Sequence, residues 1–96
     1  MRAEKVFTAL ADPTRRELVC ALAEQGPRTA TELSAQMPIT RQAVAKHLIH
    51  LHRADLVVSE RRGRETRYRL TPEPLGEAID WLENLLGAAE TGERAA

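Results

Sequence analysis

Thr40 to Arg53, TRQAVAKHLIHLHR, is the stretch whose reading decides the fold. Thr40 suits a helix N-cap, because its hydroxyl can accept from a free backbone N–H two or three residues on. Val44, Leu48 and Leu51 follow at i, i+4, i+7, the spacing that lines one buried stripe. Arg41, Gln42 and Lys46 are then left facing outward. Just upstream, Thr29-Ala-Thr-Glu32 has the form of a capping box and opens a shorter helix with Leu33 on its inner side. Between the two lies Met37-Pro38-Ile39, read as a tight turn, since Pro38 cannot continue the first helix and pushes Met37 out of helical geometry. Two short helices joined in this way, the second carrying polar side chains outward, form a helix-turn-helix. The pattern points to reading DNA.

Downstream of this unit the period changes. Leu56 to Arg62 is β-favouring at its start, and Thr66-Arg67-Tyr68-Arg69-Leu70 alternates with period 2, with Gly63-Arg64-Glu65 as the turn. The prediction is a two-stranded hairpin wing over 57–70 whose tip carries Arg61, Arg62 and Arg64. An isolated hairpin is marginal in water, so it must lean on the helices. Upstream, Arg2 to Leu10 shows Ala3, Val6, Phe7 and Leu10 on one side and is too short to be stable alone. Asp12-Pro13 restarts the chain, with Asp12 as N-cap and Pro13 where its missing N–H costs nothing. The second helix is predicted to bury Leu18, Ala21 and Leu22 and to end at Gly26-Pro27.

Thr71-Pro72 is expected to cap the last helix by the same logic. Leu75, Ala78, Ile79, Leu82, Leu85 and Leu86 form its apolar stripe, with Trp81 beside it, and Gly87 is expected to end it. The domain is thus drawn over 1–87, with 88–96 as a disordered tail. The fold class is mainly α: a winged helix-turn-helix of five helices with a two-stranded β-hairpin wing. The first and last helices carry more apolar surface than so small a core can absorb, which a second copy would cover. The residues expected at that dimer interface are Val6, Phe7, Leu10, Leu75, Ile79, Leu82 and Leu86. A twofold dimer also sets two recognition helices about one DNA turn apart, roughly 34 Å.

Formal net charge is zero, which taken alone argues against nucleic acid. The distribution of charge points the other way. Arg41 to Arg69 holds eight Lys/Arg against three acids, whereas Glu73 to Ala96 holds six acids against Arg94. A basic block followed by an acidic helix is the charge footprint of a DNA-reading centre. With Phe7, Tyr68 and Trp81 as the whole aromatic supply, a single-strand binder that stacks bases on rings is disfavoured. One cysteine, Cys20, forms no internal disulfide, and neither a signal peptide nor a membrane-length apolar run is seen, so a cytoplasmic protein is expected.

Together these residues resemble the ArsR/SmtB-type winged-helix repressors of bacteria, over about Val6 to Leu86. The resemblance is carried by the tract from Phe7 through Asp12 to Arg15 and Arg16, by Gln42 to Leu51 with His47 inside it, by Ala54-Asp55-Leu56-Val57, and by Tyr68-Arg69-Leu70. It implies a homodimer joined through its first and last helices, binding an inverted-repeat operator and repressing. The metal-sensing branch is not matched. Where its members carry Cys-x-Cys, this chain has Thr31-Glu32-Leu33-Ser34-Ala35, and its last helix has Asp80 and Glu83 but no histidine.

The expected DNA-binding residues are Thr40, Arg41, Gln42, Lys46 and His47 on the recognition helix and Arg61, Arg62, Arg64 and Arg67 on the wing. Arg and Gln can read guanine and adenine bidentately, and the wing arginines suit phosphate or the minor groove. Arg69 is the first that alternation would drop. His47 and His50 share a face at a metal-compatible spacing, but a structural zinc site needs four ligands, and outside this helix the chain has no further histidine and only the one cysteine, so no metal and no cofactor are expected. Cys20 is expected to be a buried, inert thiol. Arg15 and Arg16 open the second helix against its dipole, which Asp12 and Glu17 or a DNA phosphate must offset. No phosphate loop or nucleophile–base spacing suggests an enzyme. The partners expected are duplex DNA and a second copy, with no membrane and no assigned inducer. A metal- or thiol-responsive sensor of the same family, or a winged helix that docks a protein, stays open at this point.

Overall fold

The computed structural model describes residues 2–95. Five helices and three short strands follow one another: α1 Arg2–Leu10, α2 Pro13–Gln25, β1 Arg28–Thr29, α3 Ala30–Ser34, α4 Arg41–Arg53, β2 Val57–Arg62, β3 Glu65–Leu70 and α5 Glu73–Ala95. Local side-chain chemistry sets most of these boundaries. The Asp12 carboxylate accepts from the backbone N–H of Thr14 at 2.8 Å and of Arg15 at 3.1 Å, starting α2. At the other end Gly26 donates to Leu22 O from a φ of +79°, a conformation open to glycine. The capping box of α3 is complete: Glu32 N donates to Thr29 Oγ1, and Thr29 N donates to Glu32 Oε1. Thr40 Oγ1 accepts from Ala43 N and opens α4.

The end of α4 is a Schellman motif built on an aspartate. Asp55 takes φ +60°, its N–H donates to His52 O, and Leu56 N donates to Leu51 O. That reversal drops Leu56 and Val57 into the core and aims β2 outward. In the hairpin Val57 pairs with Leu70 and Arg62 with Glu65, leaving Gly63-Arg64 as the loop. Gly63 has φ +60° at the first of the two loop positions, where a type II′ hairpin turn requires it.

The sheet has three strands, in the order β1-β3-β2, and not the hairpin's two alone. Arg28 and Thr29 pair antiparallel with Tyr68 and Arg67 and tie the wing to the residues that open α3. The link between α3 and α4 is also longer than Met37-Pro38-Ile39, covering Ala35 through Thr40. One core unites the centre: Leu18 and Leu22 of α2, Leu33 of α3, Val44, Leu48 and Leu51 of α4, and Leu56 and Val57 are all buried together with Val6 of α1.

Two expectations about α5 are corrected. Thr71 does not cap it: its hydroxyl is buried with no partner among the described residues, and the N–H groups of Leu75 and Gly76 donate to Pro72 O. Nor does Gly87 end it. Gly87 is absent from the left-handed residues, and the helix continues to Ala95, where an unstructured tail was expected; Ala96 lies outside the described residues. At 23 residues α5 is about 34 Å long, and it stretches the molecule to 59 × 25 × 21 Å. The radius of gyration is 16.2 Å, against roughly 12–13 Å for a compact chain of this length.

Candidate nucleic-acid interface

Burial of Val44, Leu48 and Leu51 turns the opposite side of α4 to solvent, so Gln42, Lys46, Ile49 and Arg53 form its exposed crest at i, i+4, i+7, i+11. Thr40 and Arg41 are exposed at its N-terminal end. Among the described residues no hydrogen bond or ion pair engages the side chains of Arg41, Gln42 or Lys46. Their donors are free for a ligand. The wing rises beside this end of the helix, and between them lies a cleft of about 820 Å³ lined by Arg41, Gln42, Ala45, Arg61, Arg64 and Tyr68 among others. Arg62 and Arg64 are exposed and unpaired among the described residues, while Arg61 Nε donates to Gly63 O across the hairpin loop.

The nine expected contacts therefore divide. Thr40, Arg41, Gln42, Lys46, Arg61, Arg62 and Arg64 are all exposed, and Arg41, Gln42, Arg61 and Arg64 are brought together around the cleft, whereas Arg62, next to Arg61 in β2, turns to the other face of the hairpin. Arg67 is not free in the same sense: its guanidinium pairs with Glu32 at 3.2 Å and with Glu65 at 2.9 Å and is two-thirds covered. It locks the wing to the first turn of α3. Glu32, which serves cap and ion pair together, has its carboxyl pushed below the usual range by the Thr29 N–H first, with the Thr29 side chain and the charges of Arg67 and Arg28 adding to it. His47 also departs from expectation. It is half-buried with Nδ1 enclosed and unpartnered, and it lies close enough to Asp12 to help hold that carboxyl down, behind the hydrogen bond from the Arg15 backbone. His47 thus belongs to the joint between α4 and the start of α2.

Arg15 and Arg16 are explained without DNA. Arg15 donates to Ala9 O at 2.6 Å and Thr8 O at 3.2 Å, and Arg16 to Leu10 O at 2.7 Å. Two cations at the start of α2 satisfy the open carbonyls at the end of α1. Cys20, expected inside, is exposed on α2. No three His, Cys, Asp or Glu among the described residues cluster as metal ligands would.

The terminal helices pack together, with an edge-to-face contact of Phe7 with Trp81, centroids 5.5 Å apart, and an ion pair of Arg2 with Glu77 at 3.3 Å. Val6 is 1% exposed and part of the protomer's own core, so it has no surface to give a partner. Phe7, Leu10 and Leu75 are half-buried against that core. Of the residues expected at an interface, Ile79, Leu82 and Leu86 lie exposed on α5, at 53, 48 and 60%, with Leu85 at 52% and Trp81 beside them. Ile49 was not singled out from the sequence, although the crest positions opposite Val44 and Leu48 would have marked it.

A family model described as a helix-turn-helix domain matches residues 10–60. The chain is also 32% identical, over 101 residues, to the arsenic resistance transcriptional regulator ArsR1 of Pseudomonas putida, covering 93% of this chain and 79% of that one. It belongs to the ArsR family of helix-turn-helix transcriptional regulators. The transcriptional repressor SdpR of Bacillus subtilis is 29% identical over 85 residues, 88% of this chain and 93% of the relative. Among solved structures, an ArsR-like transcriptional regulator from Rhodococcus superposes with a TM-score of 0.88 at 35% identity, covering 98% of this chain and 88% of that one. This ArsR-family chain is accordingly a DNA-binding transcriptional regulator with a winged helix-turn-helix fold. No helix among the described residues is long and apolar enough to cross a membrane.

Proposed function

We propose that the protein is a homodimeric repressor that binds an inverted-repeat operator in the cytoplasm, with residues 1–87 as the DNA-binding and dimerisation unit. The observation that carries the reading is the uncovered row Ile79, Leu82, Leu85 and Leu86 on a helix that reaches beyond the protomer's body. A contiguous apolar patch of this kind marks an interaction surface. A twofold axis would pack it on itself and set two copies of α4 into successive major grooves. Gln42 and Arg41 would then face base edges, and Arg61, Arg62 and Arg64 the flanking backbone. Arg67 serves as the wing's tie. The names of the relatives support repression, SdpR being itself a repressor. The segment past Gly87 lies beyond the apolar row, and Gly92 within it weakens it as a helix.

Two measurements on the full chain test this. Sedimentation should show a dimer that Leu82→Glu shifts to monomer by on the order of 10²-fold in dissociation constant, since each change counts twice across a twofold interface. Anisotropy on the DNA upstream of its own gene, against a scrambled duplex at several salt concentrations, should show preference with a steep negative salt slope. A monomer at all concentrations, or no preference between duplexes, overturns the reading. A reporter behind the same DNA decides between repression and activation.

A further inference from the structure

The crest of α4 carries one side chain unlike its neighbours. Gln42, Lys46 and Arg53 are polar or cationic, yet Ile49, between Lys46 and Arg53, is 51% exposed. A lone exposed aliphatic elsewhere on a surface is ordinary. Here it stands on the ridge of the recognition helix that points directly away from the buried Val44, Leu48 and Leu51. It also stands apart from the five-residue apolar patch of α5, on a different helix. In the major groove the exposed edge groups are donors and acceptors with one apolar exception, the 5-methyl group of thymine. Flanking cations at Lys46 and Arg53 suit phosphates on either wall of the groove and would centre Ile49 over the base edges between them.

We infer that Ile49 is a specificity-determining residue that reads a thymine methyl in each operator half-site. The inference rests on α4 entering the major groove. It assigns Gln42 and Arg41 to hydrogen-bonded readout near the helix start and Ile49 to apolar readout one to two turns further on. Discrimination at that position is against cytosine and uracil alike, because both lack the methyl.

The test uses the full chain and the tightest duplex it selects from a random pool, with thymines replaced one at a time by uracil. That exchange deletes the methyl and keeps the base pair. At one position per half-site, uracil should weaken wild-type binding about fourfold, the worth of one methyl group removed from water. Ile49→Ala should bind the thymine duplex about fourfold or more weakly and be indifferent to uracil there, while responding like wild type to changes elsewhere. Alanine is a better helix former than isoleucine, so the fold is not at risk, and a thermal melt confirms it. If no thymine is sensitive to uracil, or if Ile49→Ala stays as sensitive as wild type, the inference falls while operator binding stands. If the pool yields no preferred duplex, sequence-specific binding itself falls, and the inference with it.

Discussion

α4 and α5 are both amphipathic, and the difference between them separates what one chain completes from what it leaves open. On α4 the apolar stripe is sealed: Val44, Leu48 and Leu51 are at most 1% exposed, and both helix ends are satisfied within the chain, by Thr40 at the start and by the Asp55 reversal at the finish. Its polar crest faces solvent with unpaired donors. On α5 the first turns seal in the same way, through Pro74 and Ala78, but every side chain from Ile79 to Gly92 is exposed, apolar and acidic alike. α4 is a finished element with a free polar crest, and α5 is one whose apolar row nothing among the described residues covers.

The largest test of this contrast deletes the same apolar group from each helix. Leu51→Ala should destabilise the protomer by about 2–5 kcal/mol in urea unfolding, since it opens a cavity in a sealed core. Leu86→Ala should leave protomer unfolding nearly unchanged when measured at low concentration and lower the midpoint only where the protein is concentrated enough to associate. Equal losses at all concentrations would mean that α5 is already covered within one chain.

A smaller effect distinguishes the wing arginines. Arg62→Ala and Arg64→Ala should each lower the slope of log affinity against log salt by about one unit, on specific and random duplexes alike. Arg67→Ala should instead cost about 0.2–1 kcal/mol of stability, the range for a partly exposed ion pair. It should change affinity only by loosening the wing from Glu32. A full unit of salt slope lost in Arg67→Ala would put that residue on the phosphate after all.

The same division separates what is legible in the sequence from what is not. The caps of Asp12, Thr29 and Thr40 act within three residues of themselves, and the hairpin turn needs Gly63 where it stands, so short-range spacing suffices to find them. Features that rest on distant partners are out of its reach. β1 is two residues with no period of its own and exists because β3 lies alongside. Arg67 looks like any wing arginine until Glu32, 35 positions away, is seen to hold it. The stripes of α1 and α5 tell which faces are apolar but not what covers them, so Val6, expected at a partner, is core. The Thr71 and Gly87 signals fail because each residue type also fits another role, a buried hydroxyl in one case and an ordinary helical glycine in the other. Ile49 is legible by periodicity, but a search for charged side chains passes over it.

The smallest expected effect concerns acid, and it belongs to the finished part of the molecule. Asp12 and Glu32 both have carboxyl groups held below their ordinary values of 3.8 and 4.5, chiefly by backbone N–H groups at the starts of α2 and α3. A carboxylate depressed in the folded state adds stability that is fully present above its ordinary value and is lost as pH falls through the lowered one. The urea midpoint should therefore be flat from neutral pH to about 5 and fall below about 4. Asp12→Asn and Glu32→Gln keep an accepting oxygen for the cap but remove the titrating charge. The double variant should start from a slightly lower midpoint at neutral pH and decline less steeply in acid, converging on wild type where both carboxyls are protonated. Both groups are solvent-accessible, so high salt should reduce the charge contributions of Arg67 and Arg28 to Glu32 and of His47 and Arg15 to Asp12 while leaving the backbone hydrogen bonds in place. A double variant that follows the wild-type acid slope would locate the acid response elsewhere and leave these caps as geometry alone.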